Sequence, residues 1–118
     1  HTKKILIGRR KNDPYIKELT WGFPGGRPNY DEELEDGLKR EILTKTGLVV
    51  DVQHLIFARV HPEQRNFLSL YYLCEVLDGR EQAGELFHEL AWIDPRETER
   101  YFTTSLHPTI REYLATLV

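Results

Sequence analysis

The chain has few residues for covalent cross-linking. Among its 118 residues there is a single cysteine, Cys74, and no methionine. A lone cysteine excludes an internal disulfide bond and predicts a reducing compartment such as the cytoplasm. Cys74 lies within an apolar run, so we expect it to pack in the core rather than to act as a nucleophile. Because the chain begins at His1 and contains no methionine, we expect further residues to precede His1.

Long apolar runs and blocks of positive charge are also missing. No stretch approaches the ~20 apolar residues that a membrane-spanning helix needs, so we predict no membrane partner. The formal net charge is −3, and no basic block could neutralise phosphates, which argues against a specific nucleic-acid partner. Hydrophobic residues make up 40% of the chain and charged residues 30%. With no repeat or linker in sight, this composition predicts one domain over residues 1–118.

A glycine-rich loop leads into an acidic helix near the centre of the chain, and residues 25–48 form this stretch. Gly25 and Gly26 would let the backbone approach a ligand closely or turn with a positive φ. Asn29 or Asp31 is expected to cap the helix. Gly47 is the expected left-handed stop at its other end. The apolar positions recur every four residues and predict a buried helix face: Leu34, Leu38 and Ile42.

The rest of the chain alternates strand and helix patterns. Strands are predicted at residues 4–9, 48–61, 66–76 and 87–93, with a short extended segment at 19–23. The polar turn that starts at His61 predicts that the two long strands pair as an antiparallel hairpin. A connection at 96–105 with a helical turn leads to His107, a capping or surface residue, and a last helix that begins at Pro108. This order predicts an α/β fold, a sheet with a helix on each side.

Several residues around the central helix stand at fixed spacings: Gly26, Glu32, Arg40, Glu41, Ile42, Gly47 and Leu48, preceded by Trp-Gly-Phe-Pro-Gly-Gly at 21–26. They resemble the sequence motif of the Nudix hydrolases. The family pattern is glycine, five residues, glutamate, seven residues, Arg-Glu and an aliphatic residue, followed by Glu-Glu, a final glycine and an aliphatic residue. The resemblance implies an α/β/α sandwich with a mixed sheet, whose usual first strand would precede His1.

The resemblance also implies an activity and a cofactor. Family members hydrolyse a pyrophosphate bond in a nucleoside diphosphate linked to another moiety, and they use Mg²⁺ or Mn²⁺. It implies catalytic roles for Glu41, as water activator or residual metal ligand, and for Arg40, which steadies a carboxylate. A surface ion pair is the alternative for Arg40. The metal ligands implied here are Glu41, Glu32 and the Gly26 carbonyl, because such ions take oxygen ligands.

Further residues are candidates for the substrate or the metal. Gly25, Gly26, Arg9 and Lys45 are predicted to contact the substrate; for Arg9 a solvated strand end is the alternative. The family often supplies one more glutamate from a later loop, for which Glu85 and Glu89 are the candidates. Pro62 falls where ADP-ribose pyrophosphatases tend to carry a proline, although a hairpin turn also favours proline.

The chain departs from the family pattern at Thr44 and Lys45, which stand where the family has its two metal-binding glutamates. The local formal charge changes by three units toward the positive, and each unit pair at ~4 Å is worth roughly 4 kcal/mol at an effective dielectric constant near 20. We therefore expect a metal to be repelled. Our hypothesis is that the Lys45 ammonium occupies the place of the metal and neutralises Glu41. The alternative is an exposed i, i+4 helix pair worth about 0.2–0.5 kcal/mol.

Two functions stay open at this point. One is a Nudix-type hydrolase of reduced activity, and the other is a catalytically impaired nucleotide-binding or regulatory module on the same fold. A nucleoside diphosphate compound is the expected partner of both, and a homodimer is compatible with either.

Overall fold

The computed structural model describes residues 4–11, 21–60, 68–84, 87–102 and 106–117. Its strands are β1 (Ile5–Arg10), β2 (Trp21–Gly22), β3 (Leu48–Val60), β4 (Leu68–Gly79) and β5 (Phe87–Ile93). Its helices are α1 (Leu34–Thr46), α2 (Thr98–Tyr101) and α3 (Pro108–Ala115), with a 3-10 turn at Pro95–Glu97. The predicted order of strands and helices is confirmed. No helix among these residues is long and apolar enough to cross a bilayer.

The described strands form two antiparallel sheets. One has the order β2-β1-β5, and the other consists of β3 paired with β4. The predicted antiparallel hairpin is therefore confirmed, although β4 continues to Gly79 instead of ending at Val76. The turn that starts at His61, including Pro62, lies outside the described residues. In this part of the chain the predicted mixed sheet takes the form of these two antiparallel ladders.

The central strand of the three-stranded sheet is buried on one face. Ile7 of β1 is fully enclosed, and Phe87 and Ile93 on the neighbouring strand β5 are buried too. Gly8 pairs with Gly22 of β2, and a Cβ on Gly8 would collide with the Phe87 ring. The strand therefore keeps glycine there so that an aromatic side chain can lie across the backbone.

Helix α1 starts later than predicted, and its first turn is buried at a different residue. Its N-cap is Glu33, without a side-chain hydrogen bond, so the prediction of a cap at Asn29 or Asp31 is wrong. The prediction that Leu34 is buried is also wrong, since 48% of it is exposed. Gly37 is buried instead and lies against the Glu32 side chain and the Pro28 backbone. Loop residues cover the first turn of the helix, and a Cβ at position 37 would lie 2.8 Å from Oε1 of Glu32 and 3.3 Å from Cα of Pro28.

Farther along α1 the predicted core is present. Ile42 is buried together with Leu48 and Val50 of β3, and Leu38 and Cys74 pack against this group. The prediction that Cys74 belongs to the core is confirmed, and burial raises the pKa of its thiol. Helix α1 is therefore held to the β3–β4 hairpin by its second half.

The last helix is capped as its sequence suggests. The His107 side chain accepts a hydrogen bond from the backbone N–H of Thr109, and Pro108 occupies the first turn. Its apolar residues Ile110 and Leu114 are both buried. His107 is thus a capping residue, as one of its two predicted alternatives had it.

The end of α1 is fastened to the loop that follows β4. Gly47 has φ 76°, the left-handed conformation predicted for a helix stop. Beyond it, the backbone N–H of Gln82 donates to the carbonyl of Thr46 at 2.8 Å, and that of Gly84 donates to the carbonyl of Lys45 at 2.9 Å. These bonds satisfy carbonyls that a helix end would otherwise leave without partners. The loop therefore fixes the position of the last turn of α1.

Replacing Gly47 by alanine is expected to destabilise the protein. For a residue with a Cβ, the left-handed conformation costs about 1–2 kcal/mol of conformational free energy. In addition, its Cβ would lie 2.8 Å from the carbonyl oxygen of Arg80. Urea denaturation should show a lower free energy of unfolding for Gly47→Ala.

The control is Gly25→Ala, because a Cβ on Gly25 would meet nothing within 4 Å and its φ is not positive. Its free energy of unfolding should stay within about 0.5 kcal/mol of the unaltered protein. Equal stabilities of the two variants would contradict this account of the helix stop.

Candidate functional site

Four charged side chains meet where the glycine loop lies against α1. Glu32 comes from the loop, and Arg40, Glu41 and Lys45 come from the helix; we call these four the charged cluster. Residues 41 and 45 are one helical turn apart and share a face of the helix. The long side chain of Arg40 reaches the same loop from the neighbouring position. The network joins the two parts of the stretch that the sequence singled out.

Arg40 binds both carboxylates of the charged cluster. Its Nη1 donates to Oε1 of Glu41 at 2.8 Å, and its Nη2 donates to Oε1 of Glu32 at 2.7 Å. Nε reaches the second oxygen of Glu32 at 3.3 Å, which gives a bidentate pair. Nη2 also donates to the Arg27 carbonyl at 3.3 Å. The guanidinium therefore holds the loop to the helix while it orients Glu41.

Lys45 connects the end of α1 to the glycine loop. Its Nζ lies 2.9 Å from Oε2 of Glu41 and donates to the Gly25 carbonyl at 2.6 Å. Only 12% of the Lys45 side chain and 16% of the Glu41 side chain are exposed. The i, i+4 pair expected from the sequence is therefore present, and it is enclosed instead of lying on an exposed helix face.

Gly26 is needed because Glu41 lies against it. A Cβ on Gly26 would collide with the carboxylate of Glu41. Neither Gly25 nor Gly26 has a positive φ, so of the two reasons expected for these glycines only close approach applies. The group that approaches Gly26 in this structure is a side chain of the protein itself.

The charged cluster keeps both of its carboxylates ionised at neutral pH. Hydrogen bonds from the Arg40 side chain and the Asn29 backbone lower the pKa of Glu32. Burial by itself would raise the pKa of Glu41, but hydrogen bonds from Lys45 and Arg40 outweigh it and the pKa is lowered. Hydrogen bonds to Glu32 and to Glu41 raise the pKa of the Arg40 guanidinium. Two negative and two positive groups thus give the cluster no formal net charge.

The side chains of the charged cluster do not fit as ligands of the divalent cation that the family resemblance implies. Each oxygen of Glu41 and of Glu32 already accepts a hydrogen bond, from Lys45, Arg40 or the Asn29 backbone. Thr44 is an exposed hydroxyl, and Lys45 is a cation. In the part of the chain that the structure describes, no group of three or more His, Cys, Asp or Glu side chains could hold a metal.

Other predicted site residues lie apart from the charged cluster or outside the described residues. Arg9 is exposed on β1, and its Nη1 lies 3.5 Å from Oε1 of Glu89 on β5. Cross-strand pairing brings these two together, because Arg9 and Glu89 are register partners. Glu89 is thus a surface ion-pair residue in this structure, while Glu85 falls outside the description.

Sequence reasoning missed a group of rings next to the glycine loop. Phe23 contacts Phe102 and Tyr71 with ring centroids 4.8 and 6.4 Å apart, and Phe57 stacks on Tyr71 at 6.1 Å. His107 joins them through Phe57 at 4.5 Å. Phe57 and Tyr71 lie on the β3–β4 hairpin, and their further ring partners, Phe23 and His107, come from distant parts of the chain. The only signal was the position of Phe23, just before Pro24 and Gly25.

Comparison with known proteins relates this site to a family. A model of the NUDIX domain matches residues 1–117. An ADP-ribose pyrophosphatase of Methanocaldococcus jannaschii is 30% identical over 94 residues, which covers 77% of this chain and 54% of that protein. A MutT-like protein of Streptomyces ambofaciens is 31% identical over 78 residues, covering 66% and 50%. The chain therefore spans about half the length of these relatives.

Solved structures agree on the fold. A NUDIX hydrolase from Nitrosomonas europaea superposes with a TM-score of 0.81 at 20% identity, over 98% of this chain and 65% of that one. A MutT NUDIX hydrolase from Burkholderia pseudomallei gives a TM-score of 0.74 at 22% identity, over 100% and 91%. Together with the domain model that matches nearly every residue, these similarities establish that the chain belongs to the Nudix hydrolase family.

Proposed function

We propose that the chain binds a nucleoside diphosphate linked to another moiety where the glycine loop meets α1, and that it hydrolyses the pyrophosphate bond slowly. Family membership and a relative named as an ADP-ribose pyrophosphatase support the substrate class. The observation that carries the reduced rate is the pairing of both Glu41 oxygens with cations, Arg40 at 2.8 Å and Lys45 at 2.9 Å.

Glu41 is the group that would take the proton in this reaction. Water attacks one phosphorus, the bond from that phosphorus to the bridging oxygen breaks, and the proton released by the water passes to the Glu41 carboxylate. A general base works best when its pKa lies near the operating pH. The pKa of Glu41 is lowered below the ordinary 4.5, so the carboxylate is a weak base at neutral pH. Slow turnover follows from the two contacts that stabilise its charge.

Arg40 and Glu32 are proposed to position Glu41 and not to take part in bond cleavage. Arg40 bridges the two carboxylates, with 2.7 Å to Glu32 and 2.8 Å to Glu41. Since Glu32 also accepts from the Asn29 backbone at 2.6 Å, the loop that carries the glycines is tied to the same guanidinium. Loss of either group would therefore move Glu41 relative to Gly25 and Gly26.

A second candidate is a binding or regulatory module without turnover. The contact of Lys45 with the Gly25 carbonyl at 2.6 Å favours it. This contact holds the glycine loop on a covalently attached cation, which a metal ion in solution cannot replace. The two candidates differ in one measurable quantity, the rate of hydrolysis of a compound that both would bind.

Hydrolysis of nucleoside diphosphate compounds is expected to be slow but above background, and Glu41→Gln should lower the rate by about 100-fold or to background. The substitution keeps the size of the side chain and removes the proton acceptor. The measurement is phosphate-containing product released over time from a panel that includes ADP-ribose and nucleoside diphosphate sugars, with and without Mg²⁺ or Mn²⁺.

The matched control is Glu35→Gln, because Glu35 is an exposed residue of the same helix outside the charged cluster. Equal rates for the two variants would show that Glu41 is not the proton acceptor. Binding of a compound without any turnover would instead favour the binding module.

The pH dependence of this slow reaction should reflect the lowered pKa of Glu41. The base must be ionised, so kcat/KM is expected to stay level as the pH falls and to decrease only below pH 4.5, the ordinary value for this carboxyl. Rates measured across acidic pH would test this, with circular dichroism at each pH to confirm that the protein is folded. A decrease that begins near neutral pH would show that another group is the base.

Restoring the acidic pair, Thr44→Glu with Lys45→Glu, is expected to create Mg²⁺-dependent hydrolysis. The change removes the cation beside Glu41 and adds two carboxylates, which are ligands that Mg²⁺ prefers. Metal titration by calorimetry and rates at increasing Mg²⁺ would measure it. The control, Thr44→Gln with Lys45→Gln, has side chains of the same size without charge. If the acidic variant neither binds metal nor gains turnover, these two positions are not the only defect.

A further inference from the structure

We infer that this site binds the diphosphate group of its ligand without a divalent metal ion, because the Lys45 ammonium supplies the fixed cation of the site. The inference rests on the proposed function, since it concerns the same ligand class and the same loop and helix. It goes beyond that proposal in stating what neutralises the phosphates.

The first step is the surroundings of the ammonium group. Nζ of Lys45 lies between a backbone carbonyl, 2.6 Å away on Gly25, and a carboxylate oxygen, 2.9 Å away on Glu41. Carbonyl and carboxylate oxygens are the ligands that a hard divalent cation takes. A covalently attached cation therefore occupies an oxygen-lined position of the kind that would suit a metal ion.

The second step is the charge of the site. Glu32 and Glu41 are balanced by Arg40 and Lys45, so the charged cluster has no excess negative charge that would attract Mg²⁺ or repel a phosphate. Only 12% of the Lys45 side chain is exposed, so the attraction between its ammonium and a nearby negative group is screened less than at the surface.

The third step is the number of donors. An ammonium group has three N–H donors, and within the described residues Lys45 uses two of them, one on Gly25 and one on Glu41. We assign the third donor to a phosphate oxygen of the ligand, and a charge-assisted hydrogen bond of this kind is stronger than a neutral one. Lys45 can then hold the loop and the ligand together.

Calorimetric titration with ADP-ribose tests the inference on the unaltered protein, once in EDTA and once in Mg²⁺. We expect dissociation constants that agree within about threefold, a difference well under 1 kcal/mol. Binding in Mg²⁺ but not in EDTA would overturn the inference and leave the proposed function in place. Absence of binding under both conditions, extended to nucleoside diphosphate sugars, would overturn both.

Substitution of Lys45 tests the role of the ammonium. In EDTA, Lys45→Met should weaken ADP-ribose binding by about ten- to a hundredfold, the loss expected for a hydrogen bond to a charged group. Lys45→Arg keeps the charge and should bind more tightly than Lys45→Met. The control, Lys39→Met, removes an exposed charge from the same helix and should bind like the unaltered protein.

Binding by Lys45→Met that equals the Lys39→Met control would overturn the assignment of Lys45 as the cation. If Lys45→Met fails to fold, the comparison of EDTA with Mg²⁺ on the unaltered protein still decides whether the site needs a metal. In that case Lys45→Arg is compared with the Lys39→Met control. Weaker binding by Lys45→Arg supports a contact between residue 45 and the ligand, and equal binding contradicts it.

Discussion

The hydrogen bond from Lys45 to the Gly25 carbonyl is the contact on which the arrangement of the site depends. It joins residues 20 positions apart and brings the glycine loop against the last turn of α1. With the loop in this position, Glu41 lies against Gly26, and Arg40 can reach Glu32 and Glu41 together. The glycines, the helix and the charged cluster are thus one structure, and the loss of any member would change the surroundings of Glu41.

The motif residues that match the family and the two that depart from it, Thr44 and Lys45, are linked by the charge of the site. Two acidic residues at positions 44 and 45 would leave the cluster with excess negative charge, which needs an added cation to be stable. Lysine at position 45 satisfies Glu41 within the chain itself, at 2.9 Å and largely enclosed. A site that compensates its own charge is stable without a cofactor, and it loses the electrostatic pull that would recruit one.

Much of the fold followed from local patterns in the sequence. Strand β5, the β3–β4 hairpin, the helix stop at Gly47 and the start of α3 at Pro108 depend on residues close together in the chain, so pattern and turn chemistry predicted them. The pairing of Glu41 with Lys45 also followed from helical spacing. Each of these features is decided within one or two turns of helix or one strand pair.

The features that were missed depend on contacts between distant residues. Leu34 fits a helical stripe, yet the loop packs on Gly37 and leaves Leu34 exposed. The enclosure of Lys45 depends on Gly25, and the ring group around Phe23 depends on Phe102, which no local pattern connects to it. The predicted cap at Asn29 failed because α1 begins only at Leu34, with Glu33 at its N-cap position.

The loop after β4 has a consequence for how a ligand would meet this site. The Gly84 N–H holds the carbonyl of Lys45, while the Lys45 side chain is held by Gly25 and Glu41, so this residue is anchored at its backbone and at its tip. A lysine side chain loses about 1.5–2 kcal/mol of rotamer freedom when it is ordered. Here that freedom is lost during folding and not during association, and the ammonium is preorganised for whatever anion reaches it.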